Sequence, residues 1–166
     1  GNGSVDWAVA AGVVFPSIWT TLFVLTKPQT GFFLVILWFK RSEQKLRFAL
    51  IASAFAVLSF IIWGLWPLDM YQNIVGQNVL NRPLASTNLS LFPWSVPVGL
   101  ALFYYAWKND DDLAAVWGSL CVSPYFVEHS LVVGFAMFVG RYPRFAPYLW
   151  TLLWILPVLP VLLETF

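Results

Sequence analysis

Glu128 and His129 stand side by side within an apolar stretch that runs from residue 113 to residue 140, and His129 is the sole histidine of the chain. Ionisable side chains are costly inside a bilayer, so they usually face a protein interior or a wet cavity and serve a function. The pair is therefore a candidate functional site. A milder interpretation stays open: if the backbone breaks at Ser123-Pro124, the pair lies near an aqueous face and anchors a helix end.

The composition favours an integral membrane protein, because 60% of the residues are hydrophobic and 10% are charged. The net charge of +1 provides no field that would indicate nucleic acid or an acidic substrate. A single cysteine, Cys121, excludes an internal disulfide and a multi-thiol metal site, and we expect a small buried side chain there. No cofactor-binding pattern appears, and Glu128 with His129 would supply too few ligands to predict a metal site.

The apolar segments predict an all-α integral membrane fold, a polytopic bundle of about five to seven transmembrane or re-entrant helices. We treat residues 1–166 as a single membrane domain. A span needs about 20 apolar residues to cross a hydrocarbon core of about 30 Å. Full spans are predicted at 6–26, 46–66 and 145–163, a slightly short one at 91–107, and a helix too short to cross alone at 31–39.

A basic cluster fixes the predicted orientation. Lys40, Arg41, Lys45 and Arg47 lie between two apolar segments, and the positive-inside rule assigns such a cluster to the cytoplasm. The following span then leads outward and the span at 91–107 returns, so the acidic run 110–112 is also cytoplasmic. We interpret that run as a solvated turn rather than a metal site, because carboxylates alone are weak evidence for a bound ion.

The stretch after residue 112 is predicted to break. One unbroken helix of about 27 residues would be about 40 Å long and would leave Arg141 and Arg144 outside. A turn at Ser123-Pro124-Tyr125, with 113–122 running outward and 131–139 running back, places both arginines inside. Irregular backbone at membrane depth must be covered by protein or line a cavity, so the break predicts an extracytoplasmic pocket beside Glu128 and His129.

Three polar clusters share this predicted extracytoplasmic side: the turn at 27–30, the loop at 67–90, and the Glu128-His129 pair. Lysine and arginine can hold phosphate oxygens, and amides suit sugar hydroxyls. An alternative is that the arginine and the asparagines of the loop are simply solvated. The predicted substrate-binding set comprises Lys27, Gln29, Arg82, Asn88, Glu128 and His129.

Three short segments resemble the GT-C polytopic glycosyltransferases, especially the family 87 mannosyltransferase-like group. Thr26-Lys27-Pro28-Gln29-Thr30-Gly31-Phe32-Phe33 resembles the Lys-Pro-Gln segment of that family, Asn88-Leu89-Ser90-Leu91 its Asn-x-Ser-Leu segment, and Ser123-Pro124-Tyr125-Phe126-Val127-Glu128-His129 its Ser-Pro…His segment. The three segments also follow one another in the same order as in that family. The resemblance implies the carboxy-terminal portion of a larger GT-C-like domain in a bacterial inner membrane. It would transfer a hexosyl or mannosyl group from a polyprenyl-phosphate donor to a lipid or glycan acceptor on the extracytoplasmic face.

The acidic residue that serves this family as general base has no counterpart at its usual position in this sequence. GT-C enzymes carry an Asp or Glu general base in the first extracytoplasmic loop, whereas here Asp6 lies on the predicted cytoplasmic side and Asp69 lies in a later loop. Two alternatives follow: part of a transferase in which Lys27, Arg82 and His129 hold the donor phosphate, or a non-catalytic membrane subunit of a larger complex. A third alternative is a transporter component with Glu128 and His129 as a proton relay. The expected partners are membrane lipids, the sugar donor and other membrane subunits, with no nucleic acid.

Overall fold

The computed structural model describes residues 19–65, 67–69, 72, 89–125, 130–149 and 151. The regular structure of these residues is helical, which confirms the all-α class for this part of the chain. The main elements are α1 (Thr20–Leu25), α2 (Pro28–Arg41), α3 (Lys45–Trp63), α4 (Val96–Asn109), α5 (Asp112–Val122), α6 (Leu131–Arg141) and a 3₁₀ turn (Pro143–Phe145).

Helix α5 forms the centre of the packing. It contacts α4 and α2 extensively and α6 to a smaller extent. Its buried residues are mostly small, which lets neighbouring backbones approach closely, as is common between helices in membranes. Helices α4 and α5 are close together at Gly99, where an added Cβ would lie 2.9 Å from the carbonyl oxygen of Gly118. The buried core also includes Leu34 and Leu37 of α2 and Val133 of α6.

Helix α3 differs from the others in length and exposure. It has 19 residues, about 28 Å of helix, and among the described residues it is the one helix long and apolar enough to cross a membrane. Its buried residues are Phe48 and Ser59, while large apolar side chains such as Leu50, Ile61 and Trp63 are exposed. A soluble surface helix would have one apolar stripe against the core and a polar opposite face. Helix α3 is instead apolar and exposed around most of its circumference.

The break predicted after residue 122 is confirmed. Helix α5 ends at Val122, Ser123 is extended with φ −73° and ψ 128°, and helix α6 begins at Leu131. Proline lacks a backbone N–H and disfavours a helical conformation in the residue before it. Pro124 therefore ends α5 where the sequence predicted.

Two predicted helices have different boundaries. The short helix expected at 31–39 spans Pro28–Arg41, because a proline fits the first helical turn and the basic residues continue the helix. The helix expected from residue 91 begins at Val96, since residues 92–95 form a turn that contains a cis Phe92-Pro93 bond. Of the spans predicted at 6–26 and 145–163, large parts lie outside the described residues.

Candidate functional site

Helices α2 and α5 run antiparallel and define two opposite ends of the molecule. The hydroxyl end contains Lys27 at the start of α2 together with Ser90, Ser95, Ser123 and Ser130. The ion-pair end contains Lys40 and Arg41 at the end of α2, the 110–112 turn between α4 and α5, and Arg141 at the end of α6. The 14 residues of α2 separate the two ends by about 21 Å.

The turn between α1 and α2 holds Lys27 in a nearly buried position, with 9% of its surface exposed. Its carbonyl oxygen accepts hydrogen bonds from the backbone N–H and the hydroxyl of Thr30, both at 3.0 Å. Gly31 permits the tight hairpin, because an added Cβ would lie 2.0 Å from Cγ1 of Val24. The predicted site residue Gln29 lies in the first turn of α2, two residues after Lys27, and is half-buried. Lys27 and Gln29 therefore share this end of the molecule.

Serine hydroxyls fix the end of α5 at the same end of the molecule. Ser90 Oγ donates to the Ser123 carbonyl oxygen at 2.5 Å, and Ser95 Oγ donates to the Cys121 carbonyl oxygen at 2.7 Å. The last carbonyl groups of a helix have no partner within the helix, so these serines satisfy groups that would otherwise be left open. Cys121 itself is half-buried rather than buried as the sequence suggested. The segment at 90–95 is thereby attached to the break after α5.

Two hydroxyls near these turns are buried without a hydrogen-bond partner in the described structure, Thr21 Oγ1 and Ser130 Oγ. Ser130 precedes α6 and is fully buried, yet its side chain does not cap the helix. Leaving a buried hydroxyl unsatisfied costs about 1–3 kcal/mol. The start of α6 therefore carries a polar group whose hydrogen-bonding capacity is unused.

The predicted site is described only in part. Lys27 and Gln29 lie at the hydroxyl end, whereas Arg82, Asn88, Glu128 and His129 lie outside the described residues. Described residues lie close to two of them in sequence. Ser90, two positions after Asn88, contacts Ser123, which begins the segment leading to Glu128.

The ion-pair end contains charged contacts that sequence reasoning did not find. Lys40 Nζ lies 2.9 Å from Asp110 Oδ1 and also donates to the Trp107 carbonyl oxygen at 2.5 Å. Arg41 Nε lies 3.3 Å from the same carboxylate oxygen. Arg41 Nη1 lies 2.8 Å from Asp112 Oδ1, and this second contact is an ion pair without hydrogen-bond geometry. The hydrogen bond from Lys40, together with Arg41, outweighs desolvation and lowers the pKa of Asp110. The acidic run is thus a paired turn, not simply a solvated one.

Asp111 is the most buried carboxylate of this turn, with 9% of its side chain exposed. Its Oδ1 accepts a hydrogen bond from the Ala114 N–H at 3.1 Å, which caps α5, and its Oδ2 lies 2.6 Å from Arg141 Nη1. Burial acts to raise the pKa of Asp111, but the hydrogen bonds from Ala114 and Arg141 outweigh it, so the pKa lies below its ordinary value. The sequence carried one signal for these ion pairs: the acidic run and the basic residues lie in loops of opposite charge.

An open cavity of about 450 Å³ lies beside this turn, at the opposite end from the predicted pocket. Its lining combines the charged groups of Asp111 and Arg141 with apolar side chains of α6, including Val133 and Met137. The carboxylate and the guanidinium at its rim already pair with each other. This cavity therefore differs in position and chemistry from the expected sugar-phosphate site.

Within the described ranges, no group of three or more His, Cys, Asp or Glu side chains could hold a metal ion. Comparisons of the chain with protein-family models, curated proteins and solved structures give no match.

Proposed function

We propose that this chain is part of a polytopic membrane glycosyltransferase of the GT-C type. It would transfer a hexosyl or mannosyl group from a polyprenyl-phosphate donor to a lipid or glycan acceptor. One observation carries the proposal: at the hydroxyl end, two of the segments that resemble this family contact each other, and the third contacts α5 just before the break. Ser90 Oγ contacts the Ser123 carbonyl at 2.5 Å, and the Phe33 N–H donates to Ser119 Oγ, one helical turn before Ser123, at 2.9 Å.

The proposed location is the inner membrane of a bacterium, with several passes. Helix α3 supports a membrane location because its apolar surface is exposed around most of its circumference. The orientation follows from the charges: Lys40, Arg41 and Arg141 lie together at the ion-pair end, which the positive-inside rule assigns to the cytoplasm. The hydroxyl end then faces the extracytoplasmic side, where the sugar donor would bind.

The proposed roles follow from the chemistry of transfer. The acceptor hydroxyl attacks the anomeric carbon, the bond from that carbon to the phosphate oxygen breaks, and a base takes the acceptor proton. Lys27, Arg82 and His129 would stabilise the charge on the departing phosphate. The amides of Gln29 and Asn88 would bind sugar hydroxyls, and Glu128 would line the same pocket. The general base would come from a carboxylate beyond the residues named here.

Sugar transfer by the full protein tests the proposal, with a polyprenyl-phosphate mannose donor and its native membrane lipids. Lys27→Met removes the charge and should lower turnover by about 10²-fold, the usual effect of losing one group that stabilises an oxyanion. Lys27→Arg retains the charge and should recover part of the rate. Glu43→Gln, at an exposed position between α2 and α3, is the control and should leave turnover unchanged. Equal turnover for Lys27→Met and the wild type would remove Lys27 from the site.

A second candidate is a non-catalytic subunit of a larger membrane complex. It is favoured by the sequence of the first predicted extracytoplasmic turn, 27–30, which contains no Asp or Glu. Intact mass and mild-detergent purification of the native protein distinguish the two candidates. Stoichiometric partner chains without transfer activity support the subunit, whereas a larger polypeptide with transfer activity supports the enzyme.

A further inference from the structure

Seven of the nine cationic side chains of the sequence lie at or next to the ion-pair end. Three of them, Lys40, Arg41 and Arg141, pair with the aspartates of the 110–112 turn. The other four are exposed and form no ion pair with a described carboxylate: Lys45, Arg47, Lys108 and Arg144. We name these four the basic collar. Glu43, also described here, is exposed and unpaired, so the described residues of this end, seven cations and four acids, sum to a formal charge of +3.

Three members of the basic collar lie against aromatic rings. Arg47 lies 5.7 Å from the centre of the Trp19 ring, and Lys108 lies 5.7 Å from that of Tyr104. Arg144 lies 5.3 Å from the ring centre of Phe145. All three rings are themselves exposed. Tryptophan and tyrosine are enriched at the boundary between hydrocarbon and headgroups, so the rings beside Arg47 and Lys108 are of the types expected at headgroup depth.

The basic collar also borders exposed apolar surface. Leu46 lies between Lys45 and Arg47 in the first turn of α3 and is 75% exposed. The exposed apolar surface of the rest of α3 begins directly beyond it, at Leu50. An aqueous protein partner would leave this apolar surface uncovered, whereas a lipid monolayer presents phosphate groups and acyl chains in the same arrangement.

We propose that the basic collar binds the headgroups of anionic phospholipids in the leaflet at the ion-pair end. This rests on the membrane location proposed above, but not on sugar transfer. Arginine binds phosphate through two parallel hydrogen bonds and lysine through a point charge. The 110–112 turn neutralises its three partners within the protein, so the four collar cations remain available. Each such cation strengthens binding to an anionic membrane surface by about fivefold.

The test uses the full protein in vesicles of equimolar phosphatidylcholine and phosphatidylglycerol. After mild extraction, native mass spectrometry measures the ratio of the two lipids that remain bound. The wild type should retain several times more phosphatidylglycerol. A variant with Lys45→Gln, Arg47→Gln, Lys108→Gln and Arg144→Gln should retain the two lipids about equally. The matched control exchanges Lys and Arg at the same four positions, keeps the charge, and should retain the preference.

The outcomes of this test decide whether the basic collar binds anionic lipid. A wild type without preference, or a glutamine variant that keeps it, would overturn the proposal. If the glutamine variant does not fold, as judged by helical circular dichroism, the wild type is measured in about 1 M salt, where the Debye length is about 3 Å. A preference unaffected by that salt would also overturn it. Failure to enter the vesicles would refute the membrane location, whereas entry and lipid preference without sugar transfer would refute the proposed enzyme alone.

Discussion

The two ends of the α2–α5 pair are held together by different interactions. At the ion-pair end, charged side chains meet across loops, and their exposure ranges from 9% at Asp111 to 54% at Asp110. At the hydroxyl end, backbones approach closely at Gly31 and Gly99, and serines bind carbonyl oxygens. Exposed ion pairs contribute about 0–1 kcal/mol, whereas packed backbone contacts do not tolerate added volume. The hydroxyl end, where the proposed site lies, should therefore tolerate substitution less well than the ion-pair end.

The largest expected effect is at Gly99. Gly99→Val should lower the free energy of unfolding by about 3 kcal/mol, because the new side chain would overlap Val122 and the Gly118 carbonyl. Denaturant titration of the helical circular dichroism in micelles measures this. Gly140→Ala in α6 is the matched control, since an added Cβ there meets no atom within 4 Å, and it should stabilise by up to about 1 kcal/mol. Equal stabilities for the two variants would contradict the close approach of α4 and α5.

Asp111 is the strongest test of the ion-pair end. Asp111→Ala removes both the cap of α5 and the partner of Arg141, and should cost about 1–2 kcal/mol in the same titration. Asp111→Asn can still cap the helix and should cost less. Glu43→Gln, at an exposed position without an ion pair in the described structure, should be neutral. A loss for Asp111→Ala larger than that for Gly99→Val would reverse the proposed ranking of the two ends.

Ser119 tests a hydroxyl that joins α2 to α5. Ser119 Oγ accepts a hydrogen bond from the Phe33 N–H and donates one to the Ala115 carbonyl oxygen. Because the hydroxyl is buried, Ser119→Ala should lower the free energy of unfolding by about 1 kcal/mol. Ser53→Ala, at an exposed position of α3, is the control and should change stability little. If both variants are neutral, the hydroxyl does not contribute to the packing of these helices.

The smallest effect expected is loss of stability in acid, which among the described residues should arise at the ion-pair end. The folded-state pKa of Asp110 and Asp111 lies below the ordinary value, so their stabilisation is complete above about pH 3.9 and is lost as the pH falls through the folded-state pKa. The unfolding free energy of Asp111→Asn should therefore change less over this range. The loss caused by Ser119→Ala should be the same at neutral and acidic pH. A pH-dependent Ser119→Ala effect would show that the two ends are coupled.

Local features of the sequence predicted the breaks between helices well. Pro28 and Pro124 act on their own and the neighbouring residues, so the turn before α2 and the end of α5 could be predicted without a tertiary structure. The start of α4 could not be predicted in this way. Leu91, Phe92 and Trp94 are apolar, and hydropathy alone does not distinguish an apolar turn from the first turn of a helix.

The contacts at both ends depend on tertiary structure and were harder to predict. Positive-inside reasoning placed the basic cluster and the acidic run on one side of the membrane, but it gave no pairing between Lys40 and Asp110 or between Arg141 and Asp111. The hydrogen bond from Ser90 to Ser123 spans 33 residues and has no local signature. Of the predicted site, the sequence placed Lys27 and Gln29 on one turn; the structure has Lys27 directly before α2 and Gln29 in the first turn of that helix.

The unequal lengths of the helices have a consequence for the surrounding lipid. Helices α2 and α4 are about 21 Å long and α5 and α6 about 17 Å, whereas a hydrocarbon core is about 30 Å thick. Helix α3 alone matches that thickness among the described helices. In the membrane location proposed above, a bilayer around the described helices would be thinner on the side of the short helices and keep its full depth beside α3. Such local thinning would shorten the path from the headgroup region to the hydroxyl end, so membrane thickness would then affect how easily an amphiphile reaches Lys27.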